Sequence, residues 1–193
     1  MSDFSKCIVH TLQYEGIDSS PNGSYSDHPL DRGGPTKYGL SYEFVKSTQD
    51  LQTFDVDDDG RLTVQDIKSL PFETAIQGYK RYFWDYFDLD DIEDNKKAFL
   101  FFDSAVNHGY SGATKLVQKA LNDIGYKLAV DGKYGPKTKD ALNNAETEAF
   151  VKKFQEKRTA LYQAIVKKNP SQNVFLKGWL NRIKWTMEDL AYV

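Results

Sequence analysis

A mainly α-helical fold is predicted for this 193-residue chain by three of its features. Apolar residues recur at three-to-four spacing in segment after segment. Gly, Pro and Asn punctuate those segments where helices would start or stop, and only one short stretch suggests paired strands. With 40% hydrophobic residues, the chain can bury a sizeable core as one domain or as two intimate lobes.

The elements follow in order. Phe4, Ile8 and Leu12, with Cys7 beside them, make the apolar face of a first helix, capped by Ser2 or Asp3 and closed by Gly16. Residues 17–41 read as loop, and a short helix follows over Tyr42–Ser47. Pro71 suits the first turn of a helix running to about Phe87, with Ile76, Tyr79, Phe83 and Tyr86 on its apolar side. Residues 97–108 are apolar nearly all round, which predicts a central, buried helix. Ser111 caps another through Leu116, Val117, Ala120, Leu121 and Ile124, closed by Gly125. Val130-Asp131-Gly132 predicts a tight turn joining two short strands within Tyr126–Tyr134. Gly135-Pro136 opens a helix to about Asn144. A long helix over 146–168 carries Phe150, Phe154, Leu161 and Ile165 and stops before Asn169-Pro170. The last holds Phe175, Leu176, Trp179, Leu180 and Ile183. The expectation is seven or eight helices, a small β-hairpin and no linker: residues 1–100 and 101–193 form two lobes packed as one unit.

Composition narrows the function. The single cysteine, Cys7, forms no internal disulfide and reads as a small buried hydrophobe. No window approaches the ~18 apolar residues of a membrane span, and the N-terminus has no signal-peptide apolar core. The expectation is a monomer made and folded in a cytoplasm, without stable membrane association. The net charge of −3 hides an asymmetry: residues 1–100 carry 10 Lys and Arg against 19 Asp and Glu, residues 101–193 carry 15 against 9. A basic half suits an anionic polymer, but the acidic half and the lack of a recognition motif argue against nucleic acid.

The chemistry concentrates near the N-terminus. Glu15 is delivered at the end of the first helix, and Asp31-Arg32-Gly33-Gly34-Pro35-Thr36 brings back a second carboxylate and a threonine. Hydrolysing a glycoside needs a protonated acid for the leaving oxygen and usually a second, ionised carboxylate. At a helix C-terminus the macrodipole disfavours a further negative charge, and Tyr14 and Leu12 offer partial desolvation, so Glu15 is placed to retain its proton. Asp31 could activate water or stabilise positive charge on the ring, and Thr36 could orient that water. The same residues also read as an ordinary helix end and turn.

Asp55-Val56-Asp57-Asp58-Asp59-Gly60-Arg61-Leu62-Thr63-Val64-Gln65-Asp66 follows the EF-hand loop pattern. Asp55, Asp57 and Asp59 supply oxygens, Gly60 the sharp bend and Arg61 a carbonyl, with Asp66 in place of the usual glutamate at the twelfth position. A single structural calcium is expected. Asp103 and Asn107, an i, i+4 pair on an apolar helix, read either as a structural hydrogen bond or as a cleft floor holding an acetamido or hydroxyl group. Tyr38, Tyr82 and Trp84 read as sugar-stacking or core aromatics.

Glu15-Gly16 followed by Asp31-Arg32-Gly33-Gly34-Pro35-Thr36-Lys37-Tyr38-Gly39-Leu40 resembles the signature of glycoside hydrolase family 108, N-acetylmuramidases found among phage endolysins. The resemblance continues through Tyr79–Asp85, Phe102–Gly109 and Gly178–Arg182. Val130–Thr138 looks like the peptidoglycan-binding segment that usually follows. The family implies a lysozyme-like fold and bacterial peptidoglycan as partner. It also implies cleavage of the β-1,4 bond between N-acetylmuramic acid and N-acetylglucosamine, with Glu15 as acid. Here Ile17 and Asp18 replace the family's second Gly and aromatic, and the following loop is longer. The second carboxylate therefore lies among Asp18, Asp27 and Asp31, with Asp31 preferred because it anchors the Gly-Gly turn. As an endolysin the protein would accumulate in the host cytoplasm and meet the wall after release across the inner membrane. Two rivals remain: a zinc-dependent wall amidase or peptidase, for which only His10, His28 and His108 are available, and a calcium-dependent, non-catalytic wall-binding module.

Overall fold

The computed structural model describes residues 2–15, 25–27 and 34–193. The chain divides into two units, Ile8–Tyr82, and Met1–Cys7 together with Phe83–Val193. Most of the described chain is helical, as expected. The division expected after residue 100 falls inside a helical segment that begins at Asn95.

The Ile8–Tyr82 unit begins within α1 (Phe4–Tyr14), which buries Ile8, Thr11 and Leu12 along one face. A minimal hairpin follows, β1 (Thr36–Lys37) and β2 (Leu40–Ser41), in antiparallel register Thr36↔Ser41 and Lys37↔Leu40. Its two-residue loop, Tyr38-Gly39, has φ of +49° and +75°, the doubly left-handed geometry that matches the twist of paired strands. Ser41 caps α2 (Tyr42–Thr48) by accepting from the Phe44 amide, and Asp50 caps α3 (Leu51–Phe54). α4 (Val64–Ser69) and α5 (Phe72–Tyr79) complete the unit. Tyr38, Leu40, Val45, Phe54, Ile67, Leu70 and Tyr79 form its core. Gly78 is obligatory there, because a β-carbon would sit 2.9 Å from the Phe54 ring and 3.2 Å from Leu40.

The other unit is built on α6 (Asn95–Asp123), which bends at Gly109 (φ 70°, ψ 171°) into the two helical segments expected from 97–108 and from Ser111. α7 (Pro136–Asn144), α8 (Thr147–Lys168) and α9 (Asn173–Asp189) follow. The helix expected to run from Pro71 to Phe87 instead leaves α-geometry at Lys80. It passes through a π-turn over Lys80–Trp84 and a 3₁₀ turn over Asp85–Phe87. Trp84 is thereby buried edge-on between Phe4 and Phe102, at centroid distances of 5.5 and 5.6 Å. Cys7 is buried as expected, and loss of hydration pushes its thiol up to about 12.

Two buried lysines act as helix stops. Lys37 Nζ donates to Lys68 O near the end of α4 at 2.8 Å. Lys97 Nζ donates to the carbonyls of Leu142, Asn143 and Ala145 at the end of α7. Each places a cation where helix carbonyls lack partners and the dipole is negative.

The β-hairpin expected within Tyr126–Tyr134 does not form. That segment is a loop whose backbone is satisfied by amide side chains of α6 in place of a strand partner. Asn122 donates to Leu128 O and accepts from Leu128 N, while Gln118 donates to Lys133 O and accepts from Gly132 N. Gly132 holds φ at +76°, and a β-carbon there would collide with Ser111. The tight turn is present; the strands are not.

Candidate active site

Glu15 follows directly on the last residue of α1. Its amide donates to Thr11 O at 3.2 Å, continuing the helical hydrogen bonding by one residue, and its side chain is exposed. The amphipathic helix thus fixes the backbone that carries the carboxylate and leaves the carboxylate itself at the surface. Asp31 and Asp18, two of the three candidates for a second carboxylate, lie outside the described residues. The third, Asp27, is exposed and accepts from Tyr25 Oη at 3.3 Å.

Thr36 sits in β1 between two strand-like neighbours. Its backbone exchanges both hydrogen bonds with Ser26, at 2.8 and 2.9 Å, and its side faces Ser41 across the hairpin. Its hydroxyl donates to Gly34 O at 3.3 Å, which leaves the oxygen lone pairs able to accept. The hairpin therefore holds Thr36 rigidly just after the glycine-rich turn.

Three of the expected sugar contacts are core residues. Tyr38 is buried, edge-on to Phe72, and its carbonyl accepts from Tyr79 Oη at 3.0 Å. Trp84 is buried, with its indole N–H donating to Asp90 at 2.7 Å. Asp103 is wholly inaccessible and lies between two guanidinium groups, Arg182 Nη2 at 2.7 Å and Arg158 Nη2 at 3.0 Å. A carboxylate so enclosed holds no acetamido group from outside. Of the two readings of this residue, the structure supports the internal one, with arginine rather than Asn107 as its partner. Burial opposes ionisation of Asp103, but the two arginines outweigh it and hold its carboxyl below the usual carboxylate range. Asn107 is exposed and accepts from Tyr162 Oη at 2.9 Å. Tyr82 is half-buried, donates to Asp50 Oδ2 at 2.9 Å and stacks on Phe54, so its hydroxyl is committed. Neither arginine at Asp103 was evident from local spacing, since the partners are 55 and 79 residues away.

The acidic loop brings Asp55, Asp57 and Asp59 together, with one carboxylate oxygen of each within 4.8 Å of the others. Asp58 (φ 60°) and Gly60 (φ 80°) turn the chain back on itself, and Asp55 accepts from the Asp59 and Gly60 amides. Loss of hydration and then the charges of Asp59, Asp66 and Asp55 push the Asp57 carboxyl upward. Asp66 departs from the expectation that it ligates. It is buried, one oxygen accepts from Val56 N, and the other accepts from Thr63 N and Thr63 Oγ1, closing a capping box at the start of α4. Burial works against its charge, yet these hydrogen bonds keep its carboxyl below the ordinary value. Among the described residues, the aspartate triad is the one group of His, Cys, Asp and Glu arranged to hold a metal. An all-oxygen set suits a hard cation and not zinc.

Residues 9–109 match the sequence profile described as glycosyl hydrolase 108, and residues 112–184 match one described as a predicted peptidoglycan domain. The structure is similar to that of SagA from Brucella abortus. That similarity has a TM-score of 0.71 at 24% identity and covers 98% of this chain and 94% of the other. A sequence search among curated proteins returns no match. At that level of identity the SagA likeness speaks for the fold. The profile matches carry the chemistry: the substrate is peptidoglycan and the reaction is hydrolysis of a glycoside.

Proposed function

The chain belongs to the glycosyl hydrolase 108 family, and from that premise we propose that it is an N-acetylmuramidase, with Glu15 as the acid that protonates the bridging oxygen. The observation that carries this reading is the placement of Glu15: an exposed carboxylate fixed at the end of an amphipathic helix, within the matched 9–109 region. Asp31 is the proposed second carboxylate, and Thr36 accepts a hydrogen bond from the water that meets the sugar. In such a reaction the proton moves from Glu15 to the leaving oxygen as the glycosidic bond breaks, and water supplies the hydroxyl of the new reducing end. An endolysin role implies a monomer that reaches the wall after release across the inner membrane. Digestion of purified cell wall tests the bond assignment. New N-acetylmuramic acid reducing ends are expected, with no release of free amino groups. N-acetylglucosamine reducing ends, or amino groups, would overturn it.

A structural calcium belongs to the same proposal. The residues fit it: Asp55, Asp57 and Asp59 converge, with one carboxylate oxygen of each within 4.8 Å of the others, and Arg61 would add a carbonyl at the seventh position of the loop. Calcium bound there screens three like charges and holds the connection between α3 and α4. Since the ion would bind only the folded loop, stability should rise with its concentration, by about 2.7 kcal/mol at a hundredfold excess over Kd. The expected result is a melting midpoint that falls by several degrees on adding chelator and recovers with calcium but not with magnesium. Asp57→Asn should remove most of that response. An unchanged midpoint would reject the ion.

A further inference from the structure

The hairpin that carries Thr36 is too small to hold itself. Each strand has two residues, in register Thr36↔Ser41 and Lys37↔Leu40, and a short isolated hairpin is at best marginal in water. Its turn also adopts a conformation that its own residues oppose. Tyr38 holds φ at +49°, the left-handed region, where a bulky side chain is rare. Such a backbone persists only where the surrounding structure over-determines it, and such positions cluster at functional sites.

Here the support comes from three helices, all within the Ile8–Tyr82 unit. At the start of α2, the Tyr42 amide donates to Pro35 O at 2.8 Å. At the end of α5, Tyr79 Oη donates to Tyr38 O at 3.0 Å, and both tyrosines are buried. Near the end of α4, Lys68 O accepts from Lys37 Nζ at 2.8 Å. Lys37 is only 5% exposed, its ammonium lies 5.3 Å from the centre of the Tyr38 ring, and loss of hydration pulls it below the usual lysine value. An apolar side chain would fill the same space without that cost, so burial alone does not call for a lysine. What the ammonium adds is a fixed point for β1. Neighbouring strand residues point to opposite faces, so an inward Lys37 puts Thr36 on the outer one, and a slip of one residue would exchange them. The Thr36 hydroxyl gives its proton to Gly34 O at 3.3 Å, so its aim follows the path of the backbone over 34–36.

We propose that Lys37 and Tyr79 are positioning residues for hydrolysis. The ammonium fixes which face of β1 Thr36 occupies, and the phenol fixes the turn two residues on. Together they hold the Thr36 oxygen where it accepts from the water that meets the sugar. Neither residue touches the substrate. Their role rests on Thr36 meeting that water, as proposed above, and reaches it only through the hairpin.

The test is a double-mutant cycle on the intact chain. It reads kcat and KM for reducing ends released from purified wall, beside thermal melts that fix a temperature at which each assayed variant is folded. Lys37→Met keeps the apolar stem and removes the ammonium. Tyr79→Phe removes a single oxygen and carries the test if Lys37→Met does not fold. Each is expected to lower kcat about tenfold, with KM changed by less than about twofold, because a misplaced group costs turnover and not ground-state binding. In a Thr36→Val background neither should lower kcat further, since residues that act through Thr36 lose their effect with it. Variants that melt earlier yet keep the parent kcat would make both residues purely structural and overturn the proposal. So would losses that add in full to that of Thr36→Val. An unchanged kcat in Thr36→Val alone would overturn the role of Thr36 and this proposal together. Failure of the muramidase reading shows instead in the identity of the reducing ends, which none of these substitutions alters.

Discussion

Glu15→Gln is expected to reduce lysis of purified cell wall by about 10²–10⁴-fold, the range that general acid catalysis supplies. In free-energy terms that is roughly 3–5 kcal/mol of transition-state stabilisation, at about 1.4 kcal/mol per decade. The substitution keeps the shape and hydrogen-bonding reach of the side chain and removes only the transferable proton. Because the side chain is exposed beyond the last turn of α1, the change should leave stability within about 0.5 kcal/mol. KM should move little, since an acid acts on the leaving oxygen and not on ground-state binding. The measurement is a turbidity assay on purified wall beside a thermal melt. Undiminished lysis by a normally folded variant would remove Glu15 from the chemistry. Asp31→Asn in the same assay reports on the second carboxylate, and comparison with Asp27→Asn separates the two candidates.

Much of this molecule was legible from residue spacing, and the reasons it was not elsewhere are specific. α1, α7, α8 and α9 were readable because each shows one apolar face and a recognisable start or stop, such as Gly135-Pro136 or Asn169-Pro170. The division of α6 at Gly109 was readable too, from a buried segment followed by a capping serine. The 126–134 segment misled because it alternates and turns like a hairpin. Its backbone partners are the side-chain amides of Asn122 and Gln118, and no local pattern announces that. The real hairpin at Thr36–Ser41 is two residues per strand, too short for alternation to show. Aromatic residues are ambiguous for a similar reason. Tyr38 and Trp84 have the composition of a sugar platform, but the same area removed from water is worth about 2–3 kcal/mol per ring to the core. Conversely, Tyr86 was placed on an apolar helix face and proves to be exposed, because the helix gives way to a π-turn before it. The position of Glu15 at the end of a helix was readable because helix ends are written locally. The arginine environment of Asp103 was not, because ion pairs across 55 or 79 residues are written only in the fold.

Asp103→Asn should be the most damaging single change to stability, costing about 3–5 kcal/mol. Arg158 is wholly buried, and among the described residues its Nε and Nη1 meet no acceptor, so Asp103 is the counter-charge for two guanidinium groups at once. Neutralising that carboxylate strands both arginines away from water. Removing all three charges together has a different consequence: Asp103→Leu with Arg158→Met and Arg182→Met should recover most of the loss, because the desolvation cost vanishes with the charges. A triple variant as unstable as Asp103→Asn would show that the arginines also do work through packing or through Gln155 and Thr186 nearby. Acid gives an independent check on the sign. The Asp103 carboxyl is held below its unfolded value, so its contribution is complete above about pH 4 and is lost as pH falls through the folded value. Nearby His108 acts earlier. Burial, with Arg158 adding to it, lowers its folded value to about 4, while in the unfolded chain it titrates near 6.5. Acidification from about pH 6.5 to 4 therefore favours unfolding through His108, and only below that range through Asp103. Urea melts from pH 7 to 3 should show two successive losses of stability. His108→Gln should abolish the first while leaving the second, and Asp103→Asn should flatten the second from an already lowered plateau. A single loss that ignores both substitutions would place the acid sensitivity outside this cluster.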